Sequence, residues 1–190
     1  MIRPLTLRRL LLPWLLLFVP LLRAGPLDGT FEIATASSQL QDGVVELSAQ
    51  IHYPLTGAVR EVLRDGVTLA FDLEISVKRP RHYWFDADVV SLNLRRELSY
   101  HVISDRYVVR GPDGVEQNSY PTLESALDQL GQLERFPITV AAQLRGDGPW
   151  EVALRAGVRR GRMPDALRAL MFWRDDWHRT SDWYTWTLER

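Results

Sequence analysis

The feature that constrains the fold most is an alternation of apolar and polar side chains with a period of two. Between Val67 and Val77 every second residue is apolar, and the residues between them are smaller or polar. The same alternation occurs at residues 45–53 and 83–89. It is typical of half-buried β-strands, because successive side chains of a strand point to opposite faces. These segments therefore predict an antiparallel sheet with one face on a core and the other in solvent.

Further strands are predicted where branched and aromatic residues are bounded by turn sequences. Residues 92–102 have the length and composition of a strand, although their alternation is less regular. A Pro-Asp-Gly turn predicts a hairpin over residues 107–117. A Gly-Asp-Gly-Pro sequence similarly predicts that residues 138–144 and 150–158 form another hairpin.

Two short helices are predicted between these strands. Residues 56–65 begin with a threonine that is suited to an N-cap, and Gly66 is placed to end the helix. Residues 122–134 carry apolar side chains at the spacing of a helix that covers a core. We expect a mostly β chain with a single antiparallel β-sandwich, immunoglobulin-like, and these two short helices in connections.

The N-terminus is typical of a secretory signal peptide. Arg3, Arg8 and Arg9 precede an apolar run at residues 10–22, which is shorter than the roughly 20 residues of a membrane-spanning helix. We predict a signal peptide at residues 1–24 and one β-sandwich domain at residues 25–190. The domain is then exported to the periplasm, and it is membrane-anchored if the signal is not cleaved.

Composition excludes several classes of site and partner. The chain contains no cysteine, which excludes thiolate zinc sites, thiol nucleophiles and disulfides. Removal of residues 1–24 takes away four arginines and no acidic residue, so the remainder is acidic. Nucleic acid is therefore a poor candidate for a partner.

Catalytic and metal-binding patterns are weak in this sequence. His82 and Asp86 share one face of a predicted strand with Asp88, and His52 could join them from a neighbouring strand. A solvated strand face explains this pattern better than a metal site does. There is no G-x-S-x-G elbow, S-x-x-K pair or glycine-rich phosphate loop. We therefore predict no enzymatic activity, no metal and no cofactor.

Aromatic residues and arginines are concentrated near the C-terminus. Alternation places Tyr184 and Trp186 on one strand face, where we expect them to fill the core, and Trp183 on the other. Residues 155–179 are rich in arginine and could dock an acidic partner or anionic lipid headgroups. Exposed tryptophans suit binding because they bring a large rigid surface. The predicted binding residues are His82, Trp84, Asp86, Trp173, Arg174 and Trp183.

Blocks of sequence spread over most of the chain resemble a family of uncharacterised exported proteins found mainly in proteobacteria. The blocks are residues 66–71, 79–86, 98–100, 106–109, 120–131, 150–155, 177–181 and 183–186. Residues 82–84 and 159–164 depart from the family pattern, which puts a shared ligand site there in doubt. The resemblance implies an exported domain of unknown activity whose gene often lies beside that of a nitrogen-type sensor histidine kinase, which suggests such a kinase as a partner.

Two functional hypotheses remain open. The first is an exported, non-catalytic protein-binding domain whose partner is an envelope protein such as the sensory part of a sensor kinase. The second is a binding module for a small molecule or glycan that uses the Trp- and Arg-rich C-terminal region. Peripheral membrane contact is compatible with both.

Overall fold

The computed structural model describes residues 31–54, 57–80, 87–144, 148–162 and 178–188. These residues form two antiparallel sheets and few helices. The helices are α1 (Gly57–Arg64), α2 (Leu123–Gly131) and a short 3-10 turn at Ala141–Gln143. The strands are β1 (Glu32–Gln41), β2 (Val44–His52), β3 (Leu69–Arg79), β4 (Ala87–His101), β5 (Arg106–Arg110), β6 (Gln117–Tyr120), β7 (Gln132–Val140), β8 (Glu151–Arg160), β9 (His178–Thr180) and β10 (Tyr184–Thr187).

The larger sheet contains seven strands in the order β10-β8-β3-β4-β5-β6, with β9 also pairing with β8. The smaller sheet contains three strands in the order β1-β2-β7. Strands β9 and β10 pair with different parts of β8, at residues 157–159 and 151–154. They are therefore two successive pieces of one edge of the larger sheet.

The alternation that predicts β3 is confirmed by its burial. Leu69, Phe71, Leu73, Ile75 and Val77 are all at most 1% exposed and belong to the core. The core thus lies against one face of the larger sheet, which we call its inner face. Because β3 is hydrogen-bonded to β4 and β8 on its two sides, it is the central strand that the other layers cover.

Two kinds of element cover this inner face. Strand β1 of the smaller sheet contacts β8 and β10, while helix α1 contacts β4 and helix α2 contacts β5 and β6. Val59 and Leu63 of α1 and Leu130 of α2 are completely buried there. Both helices lie in connections, between β2 and β3 and between β6 and β7, as predicted.

Helix α2 is held at both ends by side chains. The Thr122 hydroxyl accepts a hydrogen bond from the Ser125 backbone N–H at 3.1 Å and so caps the N-terminus. At the other end, the Arg96 guanidinium donates to the carbonyl oxygen of Leu130, and it lies 3.5 and 3.4 Å from those of Gln129 and Gln132. A cation at the C-terminal end of a helix satisfies carbonyls that have no partner within the helix. Arg96 therefore fastens α2 to the larger sheet.

Several predicted elements have different bounds in the structure. Residues 92–102 are not a separate strand but part of β4, which is one strand of 15 residues from Ala87 to His101. The predicted helix over residues 122–134 ends at Gly131, and strand β7 begins at the next residue. The predicted strand at residues 83–89 lies partly outside the described residues, as does the predicted signal peptide.

The predicted hairpin of residues 138–144 and 150–158 is wrong. Strand β7 pairs with β2 in the smaller sheet, whereas β8 pairs with β3 in the larger one. The chain therefore crosses between sheets at this point. Strand β1 was not predicted. Most of its residues are small or polar, so apolar and polar side chains alternate little along it.

Candidate functional site

The outer face of the larger sheet, opposite the core, is polar and charged. Because side chains alternate along β3, Asp72, Glu74 and Ser76 lie on this face between the buried apolar residues. The strand register places Arg95 of β4 opposite Asp72 and Arg155 of β8 opposite Glu74. Each carboxylate on the central strand therefore faces an arginine on a neighbouring strand.

Asp72 is shared by two arginines from opposite sides. Its Oδ1 accepts from Arg95 Nε at 2.7 Å, and its Oδ2 accepts from Arg159 Nε at 2.7 Å. The Asp72 side chain is 16% exposed, whereas those of Arg95 and Arg159 are 50% and 39% exposed. One negative charge thus lies between two positive charges, and the group carries excess positive charge toward solvent.

Glu97 on β4 is likewise shared by two arginines. Its Oε2 lies 3.1 Å from Arg162 Nη2 and 3.6 Å from Arg110 Nη1. Arg162 follows β8 and its side chain is 75% exposed, so this second group also presents positive charge. The outer face is therefore electropositive at two places although the whole chain has a formal net charge of -1.

The third group contains the exposed tryptophan. The Arg155 Nη2 donates to Glu74 Oε2 at 2.5 Å, and the guanidinium carbon lies 4.6 Å from the centre of the Trp183 ring. This distance is within the range of a cation–π interaction. We call the whole surface the arginine face, and it consists of Asp72, Glu74, Ser76, Arg95, Glu97, Arg110, Arg155, Arg159, Arg162 and Trp183.

Two buried polar atoms on the arginine face have no hydrogen-bond partner within the described part of the chain. They are the Ser76 hydroxyl and Arg155 Nε. Ser76 is only 8% exposed and lies two residues from Glu74 on the same strand face. Buried polar groups are nearly always paired, so each such atom needs an explanation. Both atoms are shielded from solvent by neighbouring groups, so they are unpaired polar positions beneath the surface of this face.

Ser181 lies between β9 and β10, and its hydrogen bonds to β8 fix the position of the segment that carries Trp183. The Ala156 N–H donates to the Ser181 hydroxyl at 3.0 Å, and the Ser181 N–H donates to the Ala156 carbonyl at 2.8 Å. The Ser181 hydroxyl in turn donates to the carbonyl of Asp182 at 2.7 Å. A buried serine therefore anchors the segment that carries Trp183 to the middle of β8.

The sequence prediction for the C-terminal aromatic residues is partly right. Trp183 is 45% exposed, on the face opposite Trp186, as its alternation predicts. Trp186 packs against the core and its indole N–H donates to Ser38 of β1 at 2.9 Å. Tyr184 was expected in the core but is 37% exposed, because β10 lies at the edge of the sheet. The role of Trp183 in binding stays a prediction.

The other predicted binding residues lie outside the described residues, namely His82, Trp84, Asp86, Trp173 and Arg174. His52, the suggested partner of His82, is exposed and pairs across the strands with Glu32. Within the described ranges no three His, Asp or Glu side chains are grouped so that they could hold a metal ion. The three carboxylates of the arginine face, with Arg95 and Arg110, were missed, whereas its other arginines belong to the arginine-rich segment at residues 155–179 that the sequence indicated. Their alternating positions were visible in the sequence, but which strands lie side by side was not.

The inner face has its own electrostatic feature next to α2. The Arg96 guanidinium lies among buried groups, and burial lowers its pKa from the ordinary value. Burial also raises the pKa of Tyr53, whose hydroxyl has no hydrogen-bond partner in the described structure. Tyr53 packs edge-on against Phe31 and Phe71, with ring centres 5.9 and 4.9 Å away. These groups belong to the core and not to the arginine face.

A cleft of about 390 Å³ lies between the end of β2 and the two helices. Leu123 and Leu127 supply part of its apolar lining, and its polar lining includes His52, Arg60, Glu124 and Asp128. An ion pair between Arg60 and Glu124 joins α1 to α2 beside the cleft. Its size is within the range of small-molecule sites.

No helix among the residues that the structure describes is long and apolar enough to cross a membrane. A family model described as "Domain of unknown function (DUF4390)" matches residues 28–187. Neither a curated protein nor a solved structure matches the chain.

Proposed function

The chain belongs to the DUF4390 family, a domain of unknown function. For this domain we propose a non-catalytic function, namely binding of a partner protein through the arginine face. The observation that carries the proposal is the exposed Trp183 ring stacked on Arg155, on a sheet face that is rich in arginine. Tryptophan and arginine are the residues most enriched at the energetic centres of protein interfaces.

The geometry of Trp183 favours a preformed docking site. The stacking on Arg155 and the Ser181 contacts restrict the side chain before anything binds. A rigid aromatic side chain loses little conformational entropy on association.

The charge distribution favours an acidic partner surface. Asp72 and Glu97 each contact two arginines, so the face presents guanidinium groups that are not fully neutralised. Complementary charge speeds association and orients the partner. No catalytic role is proposed, because the three carboxylates of this face are bound by arginines and are poorly placed to act as a general base.

We also propose that the domain is periplasmic and that its fold is an immunoglobulin-like sandwich. The basic and apolar N-terminal segment supports export to the periplasm. The family resemblance of the sequence supports the sensory part of an envelope sensor kinase as the partner. Two antiparallel sheets that contribute side chains to one hydrophobic core support an immunoglobulin-like sandwich, with helices covering part of the larger sheet.

Site-specific photocrosslinking in living cells tests this function. A crosslinking residue is placed at Thr185, which is exposed and lies on the outer face next to Trp183, and a control is placed at Asp42 in the β1–β2 turn. We expect one discrete protein adduct from position 185, identified by mass spectrometry, and none from position 42. Trp183→Ala, combined with the crosslinking residue at position 185, should remove the adduct. Because Trp183 is exposed, this substitution should leave the core intact.

The outcomes separate specific binding from chance contact. An adduct that survives Trp183→Ala, or equal adducts from positions 185 and 42, would contradict docking at the arginine face. The absence of any adduct at position 185 would also contradict it. Circular dichroism and urea unfolding of the Trp183→Ala variant check that its loss of crosslinking does not come from unfolding.

Binding of a small molecule is the second candidate function, and the cleft beside α2 favours it. The cleft combines an apolar lining from Leu123 and Leu127 with charged groups from both helices. Leu127→Trp would fill it, whereas Leu133→Trp, on β7, serves as a control outside its lining. A ligand screen by thermal shift in which a compound stabilises the parent and the control but not Leu127→Trp would support this function. Equal stabilisation of all three would exclude the cleft.

A further inference from the structure

The turn between β4 and β5 carries two aliphatic side chains at its apex. Val102 is 68% exposed and Ile103 is 93% exposed. Turn apices are usually occupied by glycine, proline, asparagine, aspartate or serine, because these residues suit turn backbones and water. An adjacent pair of β-branched aliphatic residues is unusual there. We call residues His101–Asp105 the β4–β5 tip.

Hydrogen bonds hold the β4–β5 tip in one shape. The Tyr100 hydroxyl donates to Asp105 Oδ1 at 2.5 Å, and His101 Nδ1 is hydrogen-bonded to the Ser104 hydroxyl at 2.8 Å. The polar side chains thus bind one another at the base of the turn, while the aliphatic ones point to solvent. A turn that faces only water is expected to expose its polar side chains and to shield its aliphatic ones.

The tip extends past the end of the central strand β3, at the end of the sheet where Arg64 and Arg162 lie. Strand β4 pairs with β3 only as far as Leu98, so residues 99–101 continue beyond the start of β3. Arg64 lies 5.7 Å above the Tyr100 ring at the base of the tip. Arg162, 75% exposed, lies at the same end because its carbonyl accepts from the Thr68 N–H, just before β3.

We propose that the β4–β5 tip inserts Val102 and Ile103 into the surface of a membrane that contains anionic lipids. Aliphatic side chains partition into the boundary between headgroups and acyl chains, and nearby arginines bind anionic headgroups. We favour a membrane over an apolar pocket on a protein, because the apex offers two exposed aliphatic side chains and the Arg64 guanidinium lies at its base. Asp105, the acidic residue within the tip, accepts a hydrogen bond from the Tyr100 hydroxyl at the base of the turn.

This inference goes beyond the proposed partner binding and rests on the β4–β5 tip instead of on Trp183. The tip lies at an end of the larger sheet, whereas Trp183 lies on its outer face at the opposite edge of the strand order. A membrane contact at the tip therefore leaves the Trp183 side of the arginine face accessible. The two proposals can fail independently.

The absence of cysteine from the chain allows a site-specific test with the full-length protein. Ile103→Cys is labelled with a polarity-sensitive dye and mixed with vesicles of phosphatidylcholine, with and without phosphatidylglycerol. We expect the dye emission to shift to shorter wavelength with the anionic vesicles only. Val115→Cys is the matched control, because Val115 is an 84% exposed aliphatic residue in the turn at the other end of β5. Its dye should show no shift.

Two further variants test the stated contacts. Val102→Asp in the Ile103→Cys background should abolish the shift, and Arg64→Gln should require a higher fraction of phosphatidylglycerol for the same shift. No shift at position 103 would overturn the proposal. Equal shifts at positions 103 and 115 would overturn it as well, since they would indicate contact through another part of the chain. A shift at position 103 that grows with protein concentration and needs no vesicles would replace the membrane by a second copy of the chain.

Discussion

Gly131, the last residue of α2, lies directly against the backbone of Ile51 on β2. A Cβ atom at residue 131 would stand 2.1 Å from the Ile51 carbonyl oxygen. The contact involves backbone atoms, which cannot rotate away as the end of a flexible side chain can. The absence of a side chain at this residue therefore lets the helix approach the smaller sheet.

Gly131→Ala should lower the free energy of unfolding by about 3 kcal/mol, because the added methyl group forces α2 away from β2. Urea unfolding followed by circular dichroism measures this loss. Gly43→Ala is the control: a Cβ there meets nothing within 4 Å, but the backbone φ is +80°. It should cost only about 1 kcal/mol from backbone strain. Equal losses would show that packing at residue 131 is not the cause.

Arg96→Met should destabilise the protein by about 2 kcal/mol, because the last carbonyls of α2 lose their donor. The neighbouring Arg95→Met is a matched control, since Arg95 points to the outer face and is 50% exposed in its ion pair with Asp72. It should cost less than about 1 kcal/mol. Urea unfolding of both variants gives the comparison. A larger loss for Arg95→Met than for Arg96→Met would contradict the role of Arg96.

Tyr53 should make the protein lose stability at alkaline pH. Burial raises the pKa of Tyr53 above the ordinary tyrosine value of 10.0. Above that pH the unfolded chain releases the Tyr53 proton while the folded chain retains it, so rising pH favours unfolding. This contribution is fully present below pH 10 and is lost as the pH rises toward the folded-state pKa.

Tyr53→Phe removes the titrating group and tests this expectation. At neutral pH the variant should be as stable as the parent to within about 1 kcal/mol, because the buried hydroxyl has no hydrogen-bond partner in the described structure. Between pH 9 and 11 its thermal midpoint should fall less steeply than that of the parent. Parallel curves for the two proteins would refute the assignment.

Asp72→Asn should lower stability by about 1 kcal/mol at low salt, since it leaves Arg95 and Arg159 next to each other without their shared carboxylate. Added sodium chloride should reduce the difference, because salt screens the repulsion of the partly exposed guanidiniums. Asp113→Asn changes the net charge equally but keeps the oxygen that accepts from the Val115 N–H. Chemical unfolding at two salt concentrations should show a salt-dependent loss for Asp72→Asn only.

The sequence predicted the strands whose two faces differ strongly in polarity. Strand β3 was found because its inner residues are buried and its outer ones are charged. Strand β1 was missed because it lies at an edge and only Ile33 of its side chains is fully buried. The end of α2 was misplaced because Leu133 continues the apolar spacing of the helix, although Gly131 signals its end.

The candidate site was harder to predict than the strands. Asp72 and Arg159 are 87 residues apart in the sequence, and they meet only because β8 lies beside β3. Two alternating segments that are joined by a glycine-rich turn have the same local pattern whether they pair or cross between sheets. The predicted hairpin of residues 138–144 and 150–158 failed for this reason. The exposure of Trp183, in contrast, depends on local alternation and was predicted.

The position of β8 in the larger sheet has a consequence for the order of folding. Strands β3, β4, β5 and β6 are neighbours in both sequence and space, whereas β8 reaches β3 only after the chain has passed through α2 and β7. Closing such a long segment costs more conformational entropy than forming the successive hairpins. We expect pulsed hydrogen exchange to detect protection of β4 and β5 before that of β8, and simultaneous protection would contradict this order. The Glu74–Arg155 contact then forms in the late step, so the proposed docking surface is completed only at that stage of folding.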